Sequence, residues 1–375
     1  MAESTLRVGT QGPIFPPYDN VVKTLKKLDE VYDSVWWPDH LMGWIPDCLW
    51  KPDLIEVSKF QRSPHTFLET FTIMAAAACN TSNILLGSAV TEPFRRHPAE
   101  IAQAFLTLDH ISKGRVILGI GAGEGENIVP YGLRWESPAR RLRESIEVIR
   151  LLWSGRRVDY NGRIWRLKDA ILSLPPEREG RYPPIWVGAH SNMTLETTGR
   201  LADGWLPEHL DVDEYSEKLR KVADAAKRAG RDPECVTPAL MTSLVISEDH
   251  EDCHRMLNSV AAKAYALLTP FQKYEAHGYE HPLGKLNAYK EYIPTRVSEA
   301  EILSAIGKVP QEICENRYIH GTPEEVVDKI EDYVRIGLRH IVLWNLTPLC
   351  DYSKTKESFS ALLKVVQYFK DARKK

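Results

Sequence analysis

The sequence predicts an α/β fold, a single (β/α)8 barrel with insertions on its C-terminal face. Eight short apolar runs alternate with longer amphipathic segments along the 375 residues, as in barrels built from repeated βα units. A chain of this length suits one barrel or two ordinary domains. A doubly wound protein with two domains is the main alternative. The strand count and the lack of a linker between two halves favour the barrel.

The predicted elements follow one another in a regular order. The strands are Leu6–Thr10, Ser34–Trp37, Ile84–Val90, Arg115–Ile120, Ile185–Ala189, Gly204–Leu206, Thr237–Ile246 and His340–Trp344. Apolar residues at helical spacing predict the helices Tyr18–Val31, Pro64–Ala78, Ala99–Ile111, Arg140–Trp153, Asn192–Leu201, Val212–Ala229, Pro323–Ile336 and Glu357–Lys370. A hairpin is predicted over Val158–Leu167, with its turn at Asn161-Gly162.

Two insertions interrupt this rhythm, at about 41–63 and at 254–317. Long insertions after barrel strands build and cover active sites at the C-terminal face, so we expect both to cap the site. Apolar spacing predicts that the second insertion is mostly helical, with a loop over Phe271–Ile293. A surface decoration or a dimer contact is the alternative for this insertion.

Composition excludes several classes of protein. The chain has 48 Lys and Arg against 51 Asp and Glu, which argues against nucleic-acid binding and a polybasic membrane anchor. The six cysteines form no cluster with histidines at zinc spacing, so we expect free thiols in a reducing cytoplasm and no metal site. The apolar runs are too short to span a membrane and the N-terminus has no apolar signal core, so we expect a cytoplasmic protein.

Two motifs that follow strands are candidates for chemistry. Asp39-His40 follows the second strand, where a histidine would face the reaction centre of a barrel and titrate near neutral pH. A structural histidine is the equal alternative. The glycine-rich run Gly119–Asn127 follows the fourth strand and would let the backbone approach a ligand closely. A tight exit from the strand is the alternative there.

Three further segments offer binding groups. Gly188–Asn192 opens a helix, whose free amides could bind a phosphate or be capped by the local side chains. Arg95–Pro98 could be a solvated basic face or an anion clamp. Trp44 and Trp50 lie in the first insertion and are candidates for stacking on a ring.

These segments together resemble the bacterial-luciferase-like superfamily of flavin- and deazaflavin-dependent barrels. The matching pieces occur in order from residue 6 to about 345 and are Trp37–Leu41, Gly87–Ala99, Gly114–Glu124, Leu152–Gly155, Pro184–Ala189 and Gly199–Trp205. The chain looks closest to the branch that uses coenzyme F420, which contains glucose-6-phosphate dehydrogenases, methylenetetrahydromethanopterin reductases and phthiodiolone ketoreductases. Ala276–Gly284 and His320–Val326 resemble the ketoreductases in particular.

The resemblance implies roles for individual residues. His40 is the first candidate for a catalytic acid, and Glu124 is the second if its pKa is strongly raised. The implied cofactor contacts, together with Trp44, are Asp39, Ser88, Ala89, Thr91, Gly121, Ala122, Gly123, Gly188, Ala189 and His190. Ser88-Ala89 matches a bulge where the family often has a non-prolyl cis peptide. His190 stands where the family often has a second glycine in its phosphate-binding segment.

We therefore predict an oxidoreductase that transfers a hydride between coenzyme F420 and a carbonyl, alcohol or C=N substrate, most like a ketoreductase. The cofactor would supply the hydride and the protein a proton. The alternatives are a methylenetetrahydromethanopterin reductase, a luciferase-like monooxygenase with FMN as its cofactor, and a non-catalytic flavin-binding barrel. Family members are commonly dimers, so we expect a homodimer that takes a small-molecule substrate.

Overall fold

The strands of this protein close into the predicted barrel. The computed structural model describes residues 6–373. Its strands are β1 (Arg7–Gln11), β2 (Ser34–Trp37), β3 (Leu85–Ser88), β4 (Val116–Gly121), β5 (Val158–Asn161), β6 (Arg166–Ala170), β7 (Ile185–Gly188), β8 (Gly204–Trp205), β9 (Thr237–Ile246), β10 (Ile319–Gly321) and β11 (His340–Asn345). Parallel pairing runs β1-β2-β3-β4-β7-β8-β9-β11 and returns to β1, which gives the eight-stranded ring. The prediction of a (β/α)8 barrel is confirmed.

Helices surround this ring and fill the insertions. They are α1 (Tyr18–Val31), α2 (Thr70–Asn80), α3 (Pro98–Ser112), α4 (Pro138–Trp153), α5 (Asn192–Leu201), α6 (Val212–Arg228), α7 (His250–Leu257), α8 (Val260–Ala266), α9 (Phe271–Ala276), α10 (Ala288–Glu291), α11 (Glu299–Gly307), α12 (Gln311–Arg317), α13 (Pro323–Arg335), α14 (Thr347–Cys350) and α15 (Thr355–Ala372). Between residues 6 and 373, no helix is long and apolar enough to cross a membrane.

Three local predictions need correction. The helix predicted from Pro64 begins only at Thr70, because Glu69 caps it by accepting the Thr72 amide at 2.7 Å. Phe271–Ile293 is not simply a loop, since it contains α9 and α10. The short strand β10 was not predicted and pairs with the end of β9. The predicted hairpin is present as β5 and β6.

Two tryptophans fill the inside of the barrel. Trp36 on β2 and Trp186 on β7 are buried, with ring centroids 5.2 Å apart, and His340 meets both rings edge-on. Each tryptophan needs a neighbour without a side chain. A Cβ on Gly87 would lie 2.1 Å from the Trp36 ring, and one on Gly204 would lie 2.5 Å from the Trp186 ring. Pairing of large residues with glycines on neighbouring strands therefore lets the barrel close around these rings.

The two insertions share an apolar cluster that is separate from the main core. Trp44, Ile45 and Leu49 of the first insertion pack there with residues of α7, α8, α11 and α12. The second insertion also touches loops that follow barrel strands. The carbonyl oxygen of Lys290 would lie 2.0 Å from a Cβ on Gly125, which follows β4. These contacts fit the predicted cap, and its role over an active site stays a prediction.

Candidate active site

Three side chains converge from the loops that follow β2 and β4. His40 comes three residues after β2, and Glu124 comes three residues after β4. The His40 Nε2 atom lies 3.3 Å from Glu124 Oε2, and His40 Nδ1 lies 3.7 Å from Glu126 Oε1. The strands are parallel, so these loops leave the same end of the barrel. The structure therefore places both predicted catalytic residues together at the mouth.

The imidazole of His40 is held in one orientation. Its Nδ1 lies 3.0 Å from the Met42 carbonyl oxygen and 3.1 Å from Nδ2 of Asn127. Asn127 in turn accepts two backbone amides of the His40 loop through Oδ1, at 2.6 and 3.0 Å. The ring stacks on Phe67 with centroids 5.5 Å apart and meets Trp44 edge-on at 6.3 Å. With Nδ1 engaged inside the protein, Nε2 is the atom that faces Glu124.

Glu124 and Glu126 form a coupled pair of carboxyl groups. The side chain of Glu126 is 0% exposed, and its Oε1 accepts from Asn127 Nδ2 at 2.5 Å. Its Oε2 has no hydrogen-bond partner among residues 6–373. Partial burial raises the pKa of Glu124, whose side chain is 31% exposed, against the opposing effect of His40. Burial and the neighbouring Glu124 raise the pKa of Glu126. The pair therefore keeps a proton to higher pH than ordinary carboxyl groups do.

His40, Glu124 and Glu126 offer ligand atoms within 4.8 Å of one another, a spacing that a metal site could use. Metal ligands must be deprotonated, and both carboxyl groups have raised pKa values. A metal ion would therefore have to displace protons from this group in order to bind.

Asp39 stabilises the loop that carries His40. Its carboxylate accepts from Thr91 Oγ1 at 2.6 Å and pairs with Arg95 at 3.2 Å and with both Nη atoms of Arg96. Burial alone would raise the pKa of Asp39, but the two guanidinium groups outweigh it and the pKa is lowered. Arg95 and Arg96 thus clamp an internal anion and are not a solvated basic face. A contact between Asp39 and a cofactor stays a prediction.

The end of β3 is tied to β4 through Ser88. The Ser88 hydroxyl donates to the Gly119 carbonyl at 2.7 Å and accepts from its amide at 3.0 Å. A cis peptide bond that does not involve proline joins Ala89 and Val90, one bond beyond the matched position. Thr91 is fully buried, and its amide also donates to Gly119. These contacts fix the backbone between the two loops of the site.

Protein packing accounts for the glycines after β4. Gly123 has φ +81°, and a Cβ there would lie 2.7 Å from Ile128 Cδ1. A Cβ on Gly121 would lie 2.6 Å from Val90, and Gly125 is crowded by the second insertion. The tight strand exit is therefore sufficient to explain the run. Cofactor contacts of Gly121, Gly123 and the intervening Ala122 stay predictions.

The segment Gly188–His190 leads from β7 into α5. The Ala189 carbonyl accepts from Trp205 Nε1 at 3.0 Å, and Ser191 caps α5 in a capping box with Thr194. His190 is exposed and its Nε2 accepts a backbone amide of the β8 loop at 3.3 Å. The capping explanation is thus realised. A phosphate contact at the Asn192 and Met193 amides, which come ahead of the capped Thr194 amide, stays a prediction, as do cofactor contacts of Gly188, Ala189 and His190.

Trp44 and Trp50 differ in their surroundings. Trp44 is 8% exposed, lies parallel to the ring of Tyr292 at 6.3 Å and meets Tyr289 edge-on at 5.6 Å. It therefore forms an aromatic wall beside His40. Trp50 donates through Nε1 to the Gln61 carbonyl at 2.7 Å and supports the insertion itself.

A second polar group was not predicted from the sequence. His209 Nε2 lies 2.8 Å from Glu208 Oε1, and the Tyr289 hydroxyl donates to Glu208 Oε2 at 3.3 Å. Burial would raise the pKa of Glu208, but His209 and Arg317 lower it to about 2. The sequence could have indicated this group, because the acid-histidine pair Glu208-His209 follows β8 as Asp39-His40 follows β2. Nothing in the sequence pointed in this way to Arg317, whose Nε has no hydrogen-bond partner within the described part of the chain.

The fold and the mouth define a class of barrel enzyme, and comparison with known proteins identifies the family. The chain belongs to the luciferase-like monooxygenase family, whose sequence profile matches residues 2–340. This confirms the resemblance expected from the sequence. Membership and the relatives indicate that the chain is an enzyme, an oxidoreductase.

Individual relatives narrow the comparison. The chain is 36% identical over 319 residues to the phthiodiolone/phenolphthiodiolone dimycocerosates ketoreductase of Mycobacterium tuberculosis, with 84% of each chain covered. It is 31% identical over 318 residues to the F420-dependent glucose-6-phosphate dehydrogenase of Microbacterium testaceum, with 83% of this chain and 82% of that protein covered. An F420-dependent secondary alcohol dehydrogenase solved with an F420-acetone adduct superposes with a TM-score of 0.73 at 21% identity, covering 96% and 99% of the chains. At that identity the structural likeness shows the fold alone.

Proposed function

We propose that this chain uses coenzyme F420 to interconvert a ketone and a secondary alcohol, most like a ketoreductase. The observation that carries the proposal is the fixed imidazole of His40, whose Nε2 lies 3.3 Å from the carboxyl group of Glu124. Sequence relatives named as a ketoreductase and as an F420-dependent dehydrogenase support both the reaction class and the cofactor.

The residues at the mouth fit a deazaflavin with a phosphate-bearing tail. The Asn192 and Met193 amides come ahead of the Thr194 amide that Ser191 caps and could donate to a phosphate, and His190 beside them is exposed. The imidazole and carboxyl groups of His40 and Glu124 supply acid-base chemistry next to an aromatic wall formed by Trp44 and Tyr289. When bound, the deazaflavin would supply or accept the hydride at C5.

The protein's own part in carbonyl reduction is the proton that the substrate oxygen must receive. Protonated His40 would donate this proton from Nε2, because its Nδ1–H faces the Met42 carbonyl oxygen at 3.0 Å. Glu124, with its raised pKa, would return a proton to the imidazole across the 3.3 Å contact. In alcohol oxidation the same two groups would accept the proton. Trp44 and the Tyr289 ring would limit access of water.

Replacement of His40 tests this assignment. In His40→Ala, turnover of reduced F420 with a panel of ketones should fall about 100- to 10,000-fold, since a general acid contributes that much. The dissociation constant of F420, followed by fluorescence, should be almost unchanged. His110→Ala is the matched control, because His110 also pairs with a glutamate, at 2.8 Å, but on the exposed surface. Near-normal kcat in His40→Ala would reject the role of His40.

A second arm tests the cofactor. The protein is mixed with F420 or with FMN, and binding is measured by fluorescence before oxygen uptake is followed with the reduced form of each. Binding of F420 with turnover that does not consume oxygen supports the proposal. Preference for FMN together with oxygen-dependent turnover would instead indicate a monooxygenase.

A further inference from the structure

Two histidines lie one turn apart on α7, outside the mouth described above. His250 and His254 are four positions apart, so both imidazoles project from one face of the helix. Their Nε2 atoms lie 2.7 Å apart and their ring centroids 4.5 Å apart. The sequence His250-Glu251-Asp252-Cys253-His254 has the spacing that paired zinc ligands use on a helix.

Each imidazole is held from behind by a carboxylate on another helix. His250 Nδ1 lies 2.9 Å from Glu325 Oε2 on α13, and His254 Nδ1 lies 2.9 Å from Glu315 Oε1 on α12. Both oxygens also accept a further N–H donor, a backbone amide in one case and a glutamine side chain in the other. Since these oxygens act as acceptors, each Nδ1 is the N–H donor.

This arrangement directs two lone pairs at each other. A neutral imidazole with its hydrogen on Nδ1 has a lone pair on Nε2. Two such lone pairs repel at 2.7 Å unless a cation lies between them, either one proton or one metal ion. A carboxylate behind each ring is the outer shell that metal-binding histidines usually have.

We propose that His250 and His254 bind one zinc-class divalent cation through their Nε2 atoms. Zinc–nitrogen bonds of about 2.0–2.1 Å at a tetrahedral angle place the two nitrogens about 3.3 Å apart, so the pair opens by roughly 0.6 Å from its present 2.7 Å. The side chains are 41% and 31% exposed, which leaves room for this movement and for water ligands.

A third imidazole lies beside the pair. The His320 ring centroid is 5.6 Å from that of His254 and 6.4 Å from that of His250. Its Nδ1 donates to the Tyr318 carbonyl at 3.1 Å, which leaves a lone pair on Nε2. Imidazoles that share one zinc have centroids roughly 5 Å apart. His320 is therefore the nearest further ligand after a small rearrangement.

Zinc titration of the chelator-treated full chain tests the proposal. Calorimetry is carried out in the His40→Ala background, so that the mouth group cannot contribute. One equivalent of Zn²⁺ should bind, and His250→Ala or His254→Ala should each weaken it at least tenfold. Cobalt in place of zinc should give visible bands of a four-coordinate site that both substitutions abolish. The two single variants make the test independent of the folding of a double variant.

His277→Ala is the matched control. His277 also directs Nδ1 at a carboxylate, Glu312 at 3.0 Å, but its Nε2 faces Asn316 at 3.4 Å and not a second imidazole. This variant should bind zinc as the parent does. Equal zinc affinity with and without His250 and His254 would overturn the proposal, as would a pair that holds only a shared proton and binds no zinc at 100-fold excess.

Discussion

The buried carboxyl group of Glu126 predicts an unusual dependence of stability on pH. Glu126 is 0% exposed, lies beside Glu124 and has a pKa well above its ordinary value because of burial and that neighbour. Glu126→Gln keeps the shape and the acceptor for Asn127, and its side chain carries no charge at any pH. The variant should therefore be more stable than the parent above the ordinary pKa of a glutamate, about 4.3.

The sign and size follow from proton linkage. Between the unfolded-state and folded-state pKa values, the native protein binds a proton that the unfolded chain has lost, so parental stability falls as pH rises. Glu126→Gln removes this loss. Its advantage should grow by up to about 1.4 kcal/mol per pH unit and level off above the folded-state pKa of the pair. Below about pH 4 both states of the parent are protonated and the advantage should disappear.

Thermal midpoints of parent and variant, measured from pH 4 to 9, provide the assay. Glu144→Gln is the control of opposite sign. Glu144 accepts three backbone amides at 2.8 to 3.1 Å and its pKa is lowered, although burial alone would raise it. The ionised Glu144 therefore stabilises the folded state above the unfolded-state pKa, and this stabilisation is lost as pH falls through the folded-state pKa. An advantage of Glu126→Gln that is constant with pH, or largest at low pH, would refute the assignment of a raised pKa.

Three further predictions follow from the fold. Gly123→Val should lower the melting temperature, because φ is +81° and the new Cβ would meet Ile128 at 2.7 Å. Gly132 has the same φ of +81° but open space around it, so Gly132→Val should lower the melting temperature less. Equal decreases in the two variants would contradict the crowding at Gly123. His340→Gln should make the free energy of unfolding depend less on pH in acid. Burial and Arg7 lower the pKa of His340 to about 3, so the parent loses stability as pH falls below about 6.5, by up to about 1.4 kcal/mol per pH unit. The same pH dependence in variant and parent would contradict this prediction. Exchange of residues 271–293 for a relative's segment should change the ratio of kcat/KM values among ketones and leave the F420 dissociation constant unchanged. A changed F420 dissociation constant with unchanged kcat/KM ratios would show that this segment does not determine substrate preference.

The barrel was predictable because its information is local. Each strand is a short apolar run and each following helix repeats apolar residues at three and four positions, so element type can be derived without tertiary contacts. Boundaries failed where a tertiary contact decides them. The α2 start depends on the Glu69 cap and on the Leu68 amide, which donates to the Ile14 carbonyl at 2.9 Å. The three residues of β10 are a strand only because the end of β9 lies beside them.

The site was predictable only where a motif carries it. His40 and Glu124 lie in segments that match the family, and they meet at 3.3 Å. Asn127 was missed as an orienting residue because it lies 87 positions from His40 in the sequence. Only the fold brings its Nδ2 to 3.1 Å from His40 Nδ1. Glu126 was missed because its raised pKa arises from burial and the approach of Glu124, which no spacing reveals. The same holds for Arg317, which an insertion brings to the mouth.

The mouth separates its carboxyl groups into two electrostatic roles. Glu208 is held ionised by His209 and Arg317, with a pKa of about 2, whereas burial raises the pKa of Glu124 despite the nearby imidazole. Burial is the main cause of the raised pKa of Glu124, and the ionised Glu208 adds to it. Enzymes that carry out acid-base chemistry near neutral pH rely on neighbouring groups whose pKa values are driven apart in this way. In the proposed reaction, Glu124 would be the proton reserve that lies against His40, and the charge of Glu208 would help to keep its pKa raised.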